Sequence, residues 1–101
     1  MKLFTDEINK ALKKAGADNI KPIIKLFTPW ANCTWLVTGE EDGILYGFAD
    51  LGMDCVEFGS LFTREEVEDI EGPAGLKIER DLYWNPKPDV DYFKLDSLMG
   101  V

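Results

Sequence analysis

Apolar positions recur in two rhythms along this chain, and the change of rhythm marks out its elements. Between residues 5 and 15, Ile8, Ala11, Leu12 and Ala15 return at helical spacing and form one apolar stripe. Thr5 stands where an N-cap is needed, Asp6 and Glu7 fill the first turn, Lys13 and Lys14 the last, and Gly16 follows as a stop. Each charge suits its end, because free N–H groups at the start attract acids and free carbonyls at the finish attract bases.

From Pro22 the period shortens to two. Pro22 to Thr28 is predicted as a strand, with Pro22 at its beginning or on an edge because proline cannot donate to the ladder. Pro29 breaks that ladder and predicts a kink or bulge. Cys33 to Thr38 is a second strand, with Cys33, Trp35 and Val37 on one face and Thr34, Leu36 and Thr38 on the other. Gly39 to Gly43 has the length of a hairpin turn. Ile44 to Leu51 is apolar on both faces, which predicts a central strand, and Gly47 within it marks a bulge or a close approach. Asp50 to Asp54 turns the chain, and Cys55 to Phe58 forms a short fourth strand.

Thr63-Arg64-Glu65-Glu66 is a capping box, and Phe62 with Val67 supplies the matching hydrophobic staple. A helix over residues 64–71 follows, closed by Gly72-Pro73. Its last turn holds Glu68, Asp69 and Glu71, which oppose the helix dipole at a cost of about 0.3–1 kcal/mol. Such a cost fits either a freely solvated face or acids kept for a partner. Lys77 to Trp84 alternates cleanly and predicts a fifth strand. Asn85 to Asp89, with two prolines, blocks regular structure, and Tyr92 to Met99 reads as a short helix or a docked tail.

The order helix, four strands, short helix, strand, joined by hairpin-length turns, predicts an α+β fold. Its sheet would be mainly antiparallel and hold about five strands, with an N-terminal helix and a short helix near 64–71. Residues 1–88 form one domain and 89–101 a tail or short helix. With 46% apolar residues in 101, a single core is within reach. No stretch of about 20 apolar residues is present, so no membrane span is expected. The first residues lack an apolar leader, and two cysteines, Cys33 and Cys55, fit reduced thiols; a cytoplasmic protein is expected. Asn32-Cys33-Thr34 matches the glycosylation pattern, which goes unused without a secretion signal.

Charge changes the picture more than composition does. The net charge of −8 is uneven. Residues 1–39 hold six lysines against three acids, for +3; residues 40–72 hold Arg64 alone against eleven acids, for −10; the remainder carries −1. The acidic middle repels a nucleic-acid backbone and argues against such a partner. A small basic face of Lys10, Lys13, Lys14, Lys21 and Lys25 stands as the opposing reading. A basic protein surface is the better complement to Glu65, Glu66, Glu68, Asp69 and Glu71.

The chain has no histidine, which removes the commonest general base and every nucleophile pair built on one. Two cysteines cannot close a structural zinc site. No catalytic residue, metal site or cofactor is assigned. Asp50 with Asp54, or Glu40 with Glu41 and Asp42, lacks the spacing of a calcium loop. Glu79 and Asp81 lie two apart on one strand face, as a metal-assisted enzyme would place them, or as carboxylates that bond Lys77, Arg80 or the backbone. All three tryptophans fall in 27–35 and 78–84. Trp35 is expected in the core, Trp84 across the proline-rich turn, and Trp30 partly exposed beside the Pro29 kink. Trp30, Asn32, Glu79, Arg80 and Asp81 are therefore the candidate interaction surface, with an internal ion pair as the simplest structural role for Arg80.

Several blocks carry a resemblance. Residues 1–8, Lys25 to Trp35, Glu41-Asp42-Gly43, Tyr46-Gly47-Phe48 and Gly72 to Leu82 occur in the order seen in the bacterial DUF2958 family, which the chain resembles over residues 1 to about 88. Family members are similar to proteins carried by plasmids, phages and other mobile elements, and the resemblance brings no catalytic residues with it. The expectation is a small acidic, non-enzymatic protein-interaction module, an accessory or anti-defence protein of such an element. A small enzyme using Glu79 and Asp81, and nucleic-acid binding through the N-terminal lysines, are the alternatives. Oligomeric state is not set by the sequence.

Overall fold

A computed structural model describes residues 2–53, 55–99 and 101. It has helix α1 (Asp6–Ala15), strands β1 (Ile24–Phe27), β2 (Thr34–Glu41), β3 (Ile44–Asp50) and β4 (Val56–Thr63), helix α2 (Arg64–Asp69) and strand β5 (Glu79–Arg80). A short turn at Pro73–Gly75 lies between α2 and β5, and a single 3-10 turn at Tyr92–Lys94 follows β5. The five strands form one antiparallel sheet in the order β4-β3-β2-β1-β5. The fold class is α+β, as the order of elements predicts.

Local signals behave as their chemistry requires. Thr5 accepts the Ile8 N–H at 3.1 Å and caps α1. Leu12 is wholly buried and Ile8 half-buried, but Ala11 stays exposed, so the stripe is narrower than the sequence suggests. In the capping box, Thr63 accepts the Glu66 N–H and Glu66 accepts the Thr63 N–H. Asp42 and Gly43 alone make the β2–β3 turn, both at positive φ (52° and 81°), the geometry that matches the twist of a two-residue hairpin. The strands on either side are longer for it.

Each face of the sheet carries its own core. Toward the helices lie Ile24, Leu26, Trp35, Val37 and Leu45, packed with Phe4, Leu12, Val67 and Ile78. The other face presents Leu36 and Phe48, which the C-terminal segment covers with Tyr92 and Leu98. Full burial of one such side chain contributes about 1.5–3 kcal/mol, so the tail is part of the hydrophobic core. Central strand β2 is buried from Thr34 to Glu40 because both layers press on it. Ile44 to Leu51 was expected at the centre; β3 is interior but one place off, between β2 and β4.

Polar groups tie these layers to the sheet. Thr38 is the extra residue of a bulge in β2, and its carbonyl accepts the Asn19 side chain at 2.7 Å. Gly39 beside it meets the end of α1: a β-carbon there would lie 1.9 Å from the Gly16 carbonyl oxygen. On the tail side, buried Asp50 accepts Leu98 N–H at 2.7 Å, Ser97 Oγ at 3.0 Å and Gly52 N–H at 2.9 Å. Trp84 Nε1 and Lys25 Nζ both donate to the Val101 carbonyl oxygen.

Strand and helix bounds change: the first strand shortens to Ile24–Phe27, and the second, expected to stop at Thr38, runs to Glu41. The fourth strand, expected to stop at Phe58, runs to Thr63, because Gly59 and Ser60 pair with Gly47 and Tyr46 instead of turning. The fifth strand, expected over 77–84, keeps only Glu79 and Arg80. Asp81 turns the chain after it, accepting the Tyr83 N–H on Oδ1. The second helix ends at Asp69, two residues early, where Ile70 is extended.

Burial pushes the Asp50 carboxyl upward, but the N–H groups of Leu98 and Gly52 and the Ser97 hydroxyl outweigh it, so its pKa falls below the usual 3.8. A lowered native pKa stabilises the fold fully above 3.8, and that contribution is lost as pH falls below it. Asp50→Ala strands three donors and should cost about 1–3 kcal/mol at pH 7 in urea unfolding. Its destabilisation relative to wild type should shrink at pH 3. Gly39→Ala, which overlaps backbone, should lower stability by at least about 1–3 kcal/mol in the same assay.

Candidate functional site

The acidic middle of the chain folds into β2, β3, β4 and α2, and the fold sorts its charges. Arg64, the one base in residues 40–72, points inward. Both terminal nitrogens of its guanidinium bond the two carboxylate oxygens of Glu40, and its Nε donates to Asn9 Oδ1 at 2.7 Å. Its charge also sits over the Phe4 ring, 5.4 Å from the centroid. The Glu40 side chain is 5% exposed, so this base is consumed by an interior acid.

What remains outside is acid. Of the eleven carboxylates in residues 40–72, Glu40 and Asp50 are buried and Asp54 lies outside the described residues; the other eight are exposed. Glu65, Glu66, Glu68, Asp69 and Glu71 line α2 and its exit, and none forms a side-chain ion pair among the described residues. Lys77 donates to the Glu68 backbone carbonyl, not to a carboxylate. Exposed Glu57 lies on the helix side of β4. The patch is predominantly acidic, with Lys77 beside Glu68 and Glu71.

The aromatic and amide candidates do not form one surface: Trp30 borders the exit of α2, whereas Asn32 and Asp81 line a separate cavity. Trp30 is half-buried against the helix-side core and lies flat under Gly72, where a β-carbon would come within 2.4 Å of the indole. Asn32 is exposed near Gly52. Arg80, expected in an ion pair, donates instead to the carbonyls of Leu3 and Lys2, each at 2.9 Å, and holds the segment that carries Phe4. Glu79 pairs with Phe27 across the ladder. Asp81 lines a shallow cavity of about 290 Å³ with Lys25, Thr28, Asn32 and Cys33, but Glu79 does not. The Cys33 side chain packs toward the helix-side core, and Cys55 is exposed.

The family described as protein of unknown function (DUF2958) matches residues 2–98. The chain belongs to that family. No curated protein and no solved structure matches it. The family match takes in the tail beyond Pro88, where the blocks read from the sequence stop.

In this DUF2958 protein a cavity of about 660 Å³ is an apolar groove. Its floor is Phe48 and Tyr92, and its walls include Ile20, Pro22, Val90 and Phe93. Its rim carries both signs, Lys21 and Lys87 against Asp89 and Asp91, so no charge preference emerges. Among the described residues no cluster of three or more metal-ligating side chains occurs, and no helix is long and apolar enough to cross a membrane. The lysines of the basic reading separate: Lys10, Lys13 and Lys14 are exposed on α1, while Lys21 lines the groove and Lys25 binds Val101. Sequence reasoning missed the outer edge of β4 and the 92% exposed Tyr83. The alternation of Val56, Phe58 and Phe62 around Gly59-Ser60 was the available signal for the first.

Arg64→Met leaves Glu40 as an unpaired buried charge and should destabilise the DUF2958 protein by about 3–5 kcal/mol in thermal or urea unfolding. The double variant Arg64→Met with Glu40→Leu should recover most of that loss, since the desolvated charge is gone.

Proposed function

We propose that this chain is a small, non-enzymatic interaction protein whose acidic side, formed by α2 and β4, engages a basic surface of another protein. The observation that carries this reading is the sorting of charge: the single base of residues 40–72 is spent on Glu40, and eight carboxylates remain exposed without it. A field of mostly one sign raises encounter rates with oppositely charged partners and rejects like-charged ones. Its concrete setting is an accessory or anti-defence role in a bacterial plasmid, phage or integrated element, a setting drawn from the resemblance to the DUF2958 family. Action in the cytoplasm fits two cysteines that are free of a disulfide.

Affinity purification from a bacterial host tests it, with wild type compared to the triple variant Glu65→Lys, Glu68→Lys, Asp69→Lys. These side chains are exposed, so the variant should fold. A partner with a basic surface should be retained by wild type at about 0.05 M salt, released at about 0.5 M as charges are screened, and absent from the variant. Equal recovery by both proteins at both salts would reject the reading.

A further inference from the structure

We infer that the outer edge of β4 is a docking strand, which takes up an extended basic segment of the partner as a sixth, antiparallel strand. This deepens the acidic-module reading and rests on it. β4 is the terminal strand of the sheet and runs for eight residues without proline, whereas the opposite edge, β5, spans two. Such an edge is a template for another chain unless something blocks it.

The phase of the ladder shows which groups are free. Thr28 N–H donates to the Cys33 carbonyl at 3.1 Å, so Thr28 and Cys33 are a directly bonded pair. Bonded and non-bonded pairs alternate in an antiparallel ladder. Carried through the registers, Trp35 and Val37 bond β1, and Leu36 bonds Phe48. Ala49 then bonds Glu57, and Gly47 bonds Gly59. Val56, Phe58 and Ser60 therefore aim their N–H and C=O groups outward, and among the described residues no backbone or side-chain partner reaches them.

The two faces beside that edge differ. On the helix side stands exposed Glu57, with Glu65 and Glu66 of the first turn of α2 just beyond the end of the strand; Glu68 to Glu71 run on across the sheet toward Trp30 and Lys77. On the tail side stand half-buried Val56 and Phe58, with Phe93 53% exposed and its ring 5.4 Å from that of Phe58. An added strand would alternate to match, basic residues over the acids and apolar residues over Phe58 and Phe93. Charge also rejects a second copy as the occupant, because pairing β4 with itself brings two stretches of −10 together.

The test uses a ten-residue peptide of alternating lysine and valine, acetylated and amidated, added to the isotope-labelled chain at low salt. In the free protein, hydrogen exchange should be fast at the N–H groups of Val56, Phe58 and Ser60 and slow at Glu57 and Gly59. The peptide should slow the three fast ones at least about tenfold, as three new hydrogen bonds require. In antiparallel pairing its valine N–H groups face β4, so N-methylating the valines should weaken binding at least about tenfold while N-methylating the lysines leaves it unchanged. A glutamate-valine peptide should not bind. Ser60→Pro removes an outward N–H that an edge strand can spare, so it should keep the fold and lose affinity. Binding of all the lysine peptides alike, without protection at the three groups, overturns edge docking and leaves the acidic-surface reading standing. No binding of any lysine peptide also overturns edge docking, and partner recovery with the α2 variant then decides the acidic-surface reading separately. A dimer in sedimentation that Ser60→Pro dissolves would make a second copy the occupant and overturn the proposal.

Discussion

The buried pair of Glu40 and Arg64 is the constraint around which the helix side of this fold is arranged. Glu40 lies on the central strand, Arg64 opens α2, Asn9 comes from α1 and Phe4 from the segment before it. One guanidinium therefore joins the sheet, both helices and the N-terminal segment. A bidentate guanidinium–carboxylate pair fixes direction as well as distance, which nonspecific apolar contact cannot do. The desolvation it requires is offset because each guanidinium nitrogen has an acceptor: two on Glu40 and one on Asn9. Arg80 repeats the device more weakly by holding the carbonyls of Lys2 and Leu3.

That pair also shapes the exterior. Had Arg64 pointed to solvent, it would lie among Glu65, Glu68 and Asp69 and blunt their field. Turned inward, it leaves α2 with acids alone, including acids at the end where the helix dipole disfavours them. The acids follow a capping box that fixes where α2 begins, directly after the exposed edge of β4. Interior electrostatics, helix capping and the acidic surface are thus consequences of one short run of sequence, Thr63 to Asp69.

The tail side works by different means. Asp50 binds three donors, two of them from Ser97 and Leu98, and the aromatic rings of Phe48, Phe58, Tyr92 and Phe93 pack in tilted and edge-on pairs. Covering this face lets β2 be buried on both sides, which is why Leu36 is as buried as Val37 despite pointing the opposite way. Phe93 closes the aromatic cluster toward β4 and still exposes half its surface, so the tail leaves an apolar margin beside the free edge.

Elements whose cause is local were legible in the sequence. Thr5 and Gly16 bound α1, Thr63 and Glu66 start α2, and Asp42-Gly43 forces a hairpin, because each acts on neighbours a few residues away. The acidic excess of residues 40–72 was legible too, since charge needs only counting. Tertiary structure decided how far strands run and where side chains end up. Gly59 and Ser60 look like a turn until Gly47 and Tyr46 offer them a ladder, and clean alternation from Lys77 to Trp84 fails to make a long strand because Asp81 turns the chain away after two pairs with β1. Trp30 is covered only because Gly72 comes from forty residues away to lie on it, and Arg64 finds Glu40 only once the sheet has formed. Pairing over such distances depends on the whole chain being in place, so no window of sequence contains it.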